Sequence, residues 1–367
     1  MGARGRLTPD ELAEATAFLR LKGNPRLGER RIRVLVDAHR SAQGALAAAQ
    51  AQRQLWDWPA EEHELESWLR EEMDIIPMTS SRYPDSLRAL VDPPPLLFLR
   101  GRAELLDSPC VAIVGSRRAT EGGRRTAETL GNRLSLGGVA VVSGMALGID
   151  GAAHRGALNG GGNTVAVLGS GLRIVHPPSH RSLLRRIAAT GLAVSEFLPS
   201  EPALPFHFPK RNRIIAALAE AVIVVEAGER SGALITVEHA LDLGRDILVV
   251  PGSVENPQCR GSNGLLRDGA RVLPDPEAVL EELPELAARG TGGPRPPVGG
   301  SPGNSPGSSP VPPELRGLWD VLSPEASPVE ELALRAAMSP GEALAGLSAL
   351  ELAGLVVQCP GLRFQRR

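Results

Sequence analysis

An α/β fold built on a mainly parallel sheet is what this sequence predicts, and three observations predict it. Six short apolar runs, at 111–114, 139–142, 164–168, 192–195, 221–226 and 247–250, alternate with amphipathic segments of helix length. Strands buried on both faces and joined by helical crossovers make a doubly wound parallel sheet. Glycines at Gly137, Gly138, Gly191 and Gly244 stand just before strands, where helix ends belong. Loops rich in glycine and arginine lie at the strands' carboxyl ends, outside which such sheets bind their ligands. Smaller units flank the sheet, which divides the chain into a helical domain at 1–75, the sheet domain at 76–288, a linker at 289–313 and a tail domain at 314–367.

The first unit reads as all-helical. Thr8-Pro9-Asp10-Glu11 forms a capping box with proline at the first helical position, and Leu12, Ala15 and Leu19 carry the apolar spacing onward. Gly23-Asn24-Pro25 ends that helix, and 27–39 and 41–51 supply two more. The loop Pro25-Arg26-Leu27-Gly28 resembles the helix-hairpin-helix turn that grips DNA backbones; a docking module packed on its neighbour is the other reading. Between the sheet and the tail, the Gly/Pro/Ser run at 290–313 with one charged residue, Arg295, buries almost nothing, so a disordered tether is expected at 289–313. Beyond it, Leu315, Leu318, Trp319 and Leu322 mark one helix, and Ser327-Pro328 and Ser339-Pro340 open two others. Runs 355–358 and 362–365 around Cys359-Pro360-Gly361 then form a hairpin, the outline of a winged helix.

Composition excludes several classes. With 40 Lys plus Arg against 42 Asp plus Glu, a nucleic-acid face must be a local patch. Three scattered cysteines, Cys110, Cys259 and Cys359, show neither a disulfide framework nor zinc spacing. No apolar run approaches the ~20 residues of a membrane span, and no hydrophobic signal core follows the N-terminus, so a cytoplasmic protein is expected.

The chemistry concentrates in three loops. Gly115-Ser116-Arg117-Arg118 follows the first run, Ser143-Gly144-Met145-Ala146-Leu147-Gly148-Ile149-Asp150 the second, and Phe208-Pro209-Lys210-Arg211-Asn212-Arg213 opens a later helix. Ser231-Gly232 starts another helix toward the same crevice. Backbone N–H groups at helix N-termini attract anions, and arginine adds a planar fork suited to phosphate. Phe208 beside these cations is either a ring for stacking bases or a core aromatic behind the helix. Nucleotide chemistry lacks its signatures here, since neither a P-loop lysine nor a GxGxxG fingerprint occurs. Asp150 with His154 reads as a helix cap and a packed histidine, His176, His180 and His207 have no spaced ligand partners, and Glu196 and Glu226 are expected to pair with nearby arginines. No catalytic residue, metal or cofactor is assigned.

These residues also carry a resemblance. Tyr83-Pro84, Asp92-Pro93-Pro94, Gly115-Ser116-Arg117, 143–150 with His154, Ser195-Glu196, Phe208-Pro209-Lys210-Arg211-Asn212-Arg213, 231–236, Pro251-Gly252 and Asn263-Gly264 occur in the order that resembles the DNA-processing protein A (Smf) family, over 80 to about 275. The resemblance implies an extended Rossmann-like domain that binds single-stranded DNA, dimerises and loads a RecA-type recombinase during natural transformation. Carried over by position, Arg117 is the main phosphate contact and Phe208 the stacking ring, with Lys210, Arg211 and Arg213 completing the groove. The expected DNA-binding set is therefore Gly115, Ser116, Arg117, Arg118, Ser143, Gly144, Met145, Phe208, Lys210, Arg211, Asn212, Arg213, Ser231 and Gly232. Duplex DNA on the winged helix is a further candidate partner. His176-Pro177 replaces a Tyr-Pro of many relatives and Pro205 a lysine, leaving Lys210 or Arg173 to supply the basic side. The competing class is an enzyme hydrolysing nucleotide monophosphates on a related fold; its Pro-Gly-Gly-x-Gly-Thr loop is absent, with 231–236 at the corresponding turn. A purely structural scaffold leaves the arginines unexplained.

Overall fold

The computed structural model describes residues 7–24, 27–51, 67–69, 71, 73–290, 315–323, 327–336, 338–352, 355–359 and 363–366. They fall into two compact units that divide at 299/300. The expected tether lies outside the described residues from 291 on, as do Pro25 and Arg26 of the first loop and Pro360-Gly361 of the tail hairpin.

In the first unit, helices α1 (Pro9–Lys22), α2 (Glu29–His39) and α3 (Ala42–Ala51) precede strands β1 (Asp74–Pro77) and β2 (Leu96–Gly101), between which lies the short α4 (Asp85–Arg88). Then strands and helices alternate: β3 (Cys110–Val114), α5 (Glu121–Leu136), β4 (Ala140–Ser143), α6 (Ile149–Asn159), β5 (Thr164–Val167), α7 (Arg181–Thr190), β6 (Leu192–Ser195), α8 (His207–Leu218), β7 (Ala221–Val224), α9 (Gly232–Asp242), β8 (Asp246–Val249), α10 (Arg260–Arg267), β9 (Arg271–Val272) and α11 (Pro284–Gly290). The sheet runs β1-β2-β6-β5-β4-β3-β7-β8-β9. From β6 to β9 every pairing is parallel, while β2 lies antiparallel to β6 and β1 antiparallel to β2. All six expected strands are present, with ends shifted by a residue or two. The period of two divides them between cores: Ala112 and Val114 of β3 pack with one cluster, Val111 and Ile113 with the other.

The helices are held for identifiable reasons. The Thr8/Glu11 capping box opens α1, whose Ala15, Phe18 and Leu19 are buried in the same core as the sheet. Polar contacts join the two parts. Glu14 accepts from the N–H groups of Ala42 and Gln43 and from the Thr79 hydroxyl (2.8 Å), Arg33 donates to Leu90 O (2.6 Å), and Lys22 donates to Glu196 O (2.7 Å). On the other face α5 and α6 pack closely because Gly131 and Gly156 each lie against the opposite helix's backbone, where a Cβ would collide with Ala153 O or Glu128 O. Among the described residues no helix is long and apolar enough to cross a membrane.

The second unit has its own core around Leu318, Leu332, Leu347, Leu350, Val356 and Phe364. It comprises α12 (Arg316–Val321), β10 (Ser327–Pro328), α13 (Val329–Arg335), α14 (Pro340–Leu352), β11 (Val356–Cys359) and β12 (Arg363–Arg366), with a sheet ordered β10-β12-β11. Ser339 and Glu342 form the capping box of α14. Ser327-Pro328, expected to open a helix, instead pairs as a strand with Phe364 and Arg363, and the helix begins at Val329.

Candidate functional site

The order of strands reverses between β3 and β7: the chain proceeds from β3 outward through β4, β5 and β6, then returns to β7 on β3's other side. The loops leaving the two strands diverge there and open a crevice. A cavity of about 690 Å³ occupies it, lined by Gly115 to Arg118 after β3, Gly228 and Arg230 to Ala233 after β7, Phe208, Arg211 and Asn212 of α8, and Asp150 and Gln258.

The first loop is locked from behind. Ser116 N–H donates to Glu226 O (2.6 Å), and its hydroxyl donates to Gln258 Oε1 (2.6 Å) while accepting from Arg118 N–H (3.0 Å). Gly148 lies against Ser116 O with φ of 79°, a left-handed conformation that suits glycine. The loop thus holds its backbone inward and its cations outward. Arg117 and Arg118 are exposed and make no ion pair among the described residues; the Arg117 guanidinium stands 5.2 Å from the centroid of Phe208. Phe208, half-buried, also has the His176 ring 5.3 Å away and the Gly169 backbone against its edge, so it is neither a free ring nor a core aromatic.

Two helix N-termini behave differently. At α5 the expected anion site is filled by the chain itself: the Glu226 carboxylate accepts from Thr120 N–H (2.9 Å) and from its hydroxyl (2.6 Å), and Gly123 packs on it. Glu226 therefore caps a helix and does not pair with an arginine as expected. At α9, Ser231 caps Ala233 N–H (3.3 Å) and Asn212 Nδ2 holds Gly232 O (3.1 Å), and this end faces the cavity. Arg230, exposed, stands directly before that cap.

The second loop lies beneath the cavity. Ser143 is fully buried and donates to Ile113 O (2.7 Å), Met145 is buried with φ of 62°, and neither they nor Gly144 line the opening. Arg211 braces this layer by donating to Gly144 O (2.7 Å) and to Val167 O. Burial brings the Arg211 pKa down to about 10, opposed by the charge of Asp150. Burial raises the Asp150 carboxyl, with Arg211 and the N–H groups of Ala146 and Gly144 pulling it back. His180 Nδ1 contacts Met145 O at 3.0 Å, a further brace on the strained residue.

The expected cluster on α8 is divided. Lys210 and Arg213, three residues apart on one helix face, both turn to Glu196: Arg213 grips it with two bonds of 2.7 and 2.9 Å and reaches Asp92 at 3.2 Å, and Lys210 Nζ lies 3.1 Å away. Neither lines the cavity. Burial would raise the Glu196 carboxyl, but Arg213, Lys210 and Lys22 hold it below the usual range, as its expected pairing with arginine requires. Arg173, the alternative basic residue, is engaged with Glu71 and with Ser200 (3.1 Å). The structure thus brings together Gly115, Ser116, Arg117, Arg118, Phe208, Arg211, Asn212, Ser231 and Gly232, and sets Ser143, Gly144, Met145, Lys210 and Arg213 behind or beside them. Sequence reasoning missed Arg230 and Gln258. Arginine directly before a helix-capping serine was the available signal for the first; the second is brought to Ser116 from 142 residues away. Among the described residues no group of three His, Cys, Asp or Glu side chains is placed to hold a metal ion.

Comparison with known proteins places these features in context. Residues 74–284 match the family model of DNA recombination-mediator protein A, and 302–361 match the DprA winged helix domain. Protein Smf of Escherichia coli (strain K12) is 38% identical over 339 residues, 89% of this chain and 86% of that protein. The DNA processing protein DprA of Streptococcus pneumoniae is 44% identical over 201 residues, 55% of this chain and 71% of that protein. Its X-ray structure superposes with a TM-score of 0.62 at 34% identity, covering 72% of this chain and 96% of that one. DNA processing protein A of Helicobacter pylori, in a structure addressing its single-stranded DNA binding mode, gives 0.54 at 29% identity, covering 58% and 96%.

Proposed function

The chain belongs to the DNA recombination-mediator protein A family, and on that premise we propose that it binds single-stranded DNA in the β3/β7 crevice and acts as a recombination mediator, not an enzyme. One observation carries the reading: Arg117, Arg118 and Arg230, free of ion pairs among the described residues, converge with the N-terminus of α9 on a cavity walled by Phe208. Backbone phosphates suit the arginine forks and the helix end, and a base fits against the apolar wall. The single-stranded DNA binding mode described for the Helicobacter pylori relative supports the same ligand. A mononucleotide enzyme is disfavoured by Glu226, whose carboxylate occupies the α5 N-terminus where a nucleotide phosphate would sit.

In this reading the protein protects incoming strands, loads a RecA-type recombinase on them during natural transformation, and works as a homodimer through the Rossmann-like domain. The winged helix adds avidity on long or partly duplex DNA. Its α14 carries no lysine or arginine, so phosphate contacts there fall to other elements of the unit.

The test is fluorescence anisotropy of labelled oligothymidylate across a salt series. Log affinity falls linearly with log salt, and Arg117→Ala shallows the slope by about 0.7, the value for one lost single-strand phosphate contact. Unchanged slope and affinity in that variant would overturn the assignment. Loading is tested separately, as faster recombinase filament growth on strands precoated with single-strand binding protein; no acceleration refutes that part.

A further inference from the structure

Phe206, immediately before α8, is 65% exposed, and sequence reasoning passed over it in favour of Phe208. A phenylalanine ring in water forgoes the burial free energy that its neighbours collect, so its mounting matters. The backbone beneath it is fixed: His207 N–H donates to Leu204 O (3.0 Å) and Lys210 N–H to Phe206 O (3.4 Å). The ring itself meets His207 edge to face, with centroids 4.6 Å apart and planes at 82°. His207 in turn is buried and stacked on Phe197 at 3.9 Å. Phe206 is therefore a solvent-facing ring on a rigid aromatic base, and its chain neighbour Pro205 and helix neighbour Phe208 both line the cavity.

Phe208 has less surface to offer. Arg117 stands over its ring, and His176 and Gly169 flank it, so a base reaches only the part that faces the cavity. We propose that Phe206 is a second base-stacking platform, which receives the base of a nucleotide next to the one held in the cavity, while Phe208 serves chiefly to seat the Arg117 guanidinium. The inference rests on the single-strand binding reading above and extends it from one nucleotide to a path across the start of α8. Every base has a π-face, so the contact carries no strong sequence preference.

The experiment compares wild type, Phe206→Ala, Phe206→Trp and Arg117→Ala on a labelled oligothymidylate and on an abasic strand of equal length. Phe206→Ala weakens oligothymidylate binding by roughly 5- to 150-fold, the range for one lost stack, leaves abasic binding and the salt slope unchanged, and melts like wild type. Phe206→Trp retains affinity, and the added emission is quenched at saturation. Equal losses on both strands would overturn stacking in favour of a role in shaping the backbone track. Wild-type affinity in Phe206→Ala, with Arg117→Ala still impaired, would refute the platform and leave the binding reading standing. A wild type that binds neither strand refutes both.

Discussion

Arg213→Ala separates a binding arginine from a structural one. Its guanidinium holds the Glu196 carboxylate with two bonds of 2.7 and 2.9 Å, and the Glu196 side chain has no solvent exposure while that of Arg213 has 4%. Removing one partner of such a pair leaves a buried charge uncompensated, at a cost of about 3–5 kcal/mol. Lys210, 3.1 Å from the same carboxylate, remains and places the expected loss toward the lower end. At about 2–4 °C per kcal/mol for domains of 150–250 residues, 3 kcal/mol corresponds to a midpoint about 6–12 °C lower by calorimetry. Oligothymidylate affinity, measured well below that midpoint, and its salt slope stay as in wild type. The double variant Arg213→Met, Glu196→Leu recovers most of the lost stability, because an apolar pair owes no desolvation. A wild-type midpoint combined with weakened binding and a shallower slope would refute this reasoning and return Arg213 to the groove.

Two further predictions follow from the buried histidine and the chain's division. His154 is fully buried, and burial, reinforced by His180 and Arg211, lowers its pKa to about 3 from 6.5. The unfolded chain therefore binds the extra proton between those values, so stability is present above pH 6.5 and is lost as pH falls, by about 2 kcal/mol from this residue at pH 5; His154→Asn should flatten that part of the denaturant-midpoint profile, and an unaltered profile refutes it. Ending the chain after Gly290 keeps Leu286 buried and the Arg289–Glu220 pair, so the midpoint and short-oligonucleotide affinity match the full chain and only long or partly duplex substrates bind less tightly; loss of short-strand binding would show that the tail packs on the core.

How far the site was legible depends on which residues speak through local pattern and which through tertiary placement. The six parallel strands announced themselves as apolar runs long enough to be buried on both faces. Strands β1 and β2 did not: Asp74–Pro77 spans four residues with a charge at one end and a proline at the other, and it becomes a strand by pairing with Leu96–Gly101 at the sheet's antiparallel edge. The loops after β3 and β7 could be assigned to one crevice because strand order and carboxyl ends place them there. Side-chain direction could not. Lys210, Arg211 and Arg213 form one basic run in the sequence, but about 100° separates successive residues on a helix, so Lys210 and Arg213 share the face toward Glu196 and Arg211 points elsewhere. Likewise a glycine-rich turn into a helix signals an anion site, and nothing local discloses that Glu226, 106 residues from Thr120, supplies the anion. That internal carboxylate has a functional consequence. With the α5 terminus satisfied, the open end of α9 and the arginines before it and after β3 are what the crevice leaves for a ligand. Three exposed arginines and a helix end on one cavity are more cationic groups than a single phosphate needs, an arrangement suited to a chain of phosphates passing through.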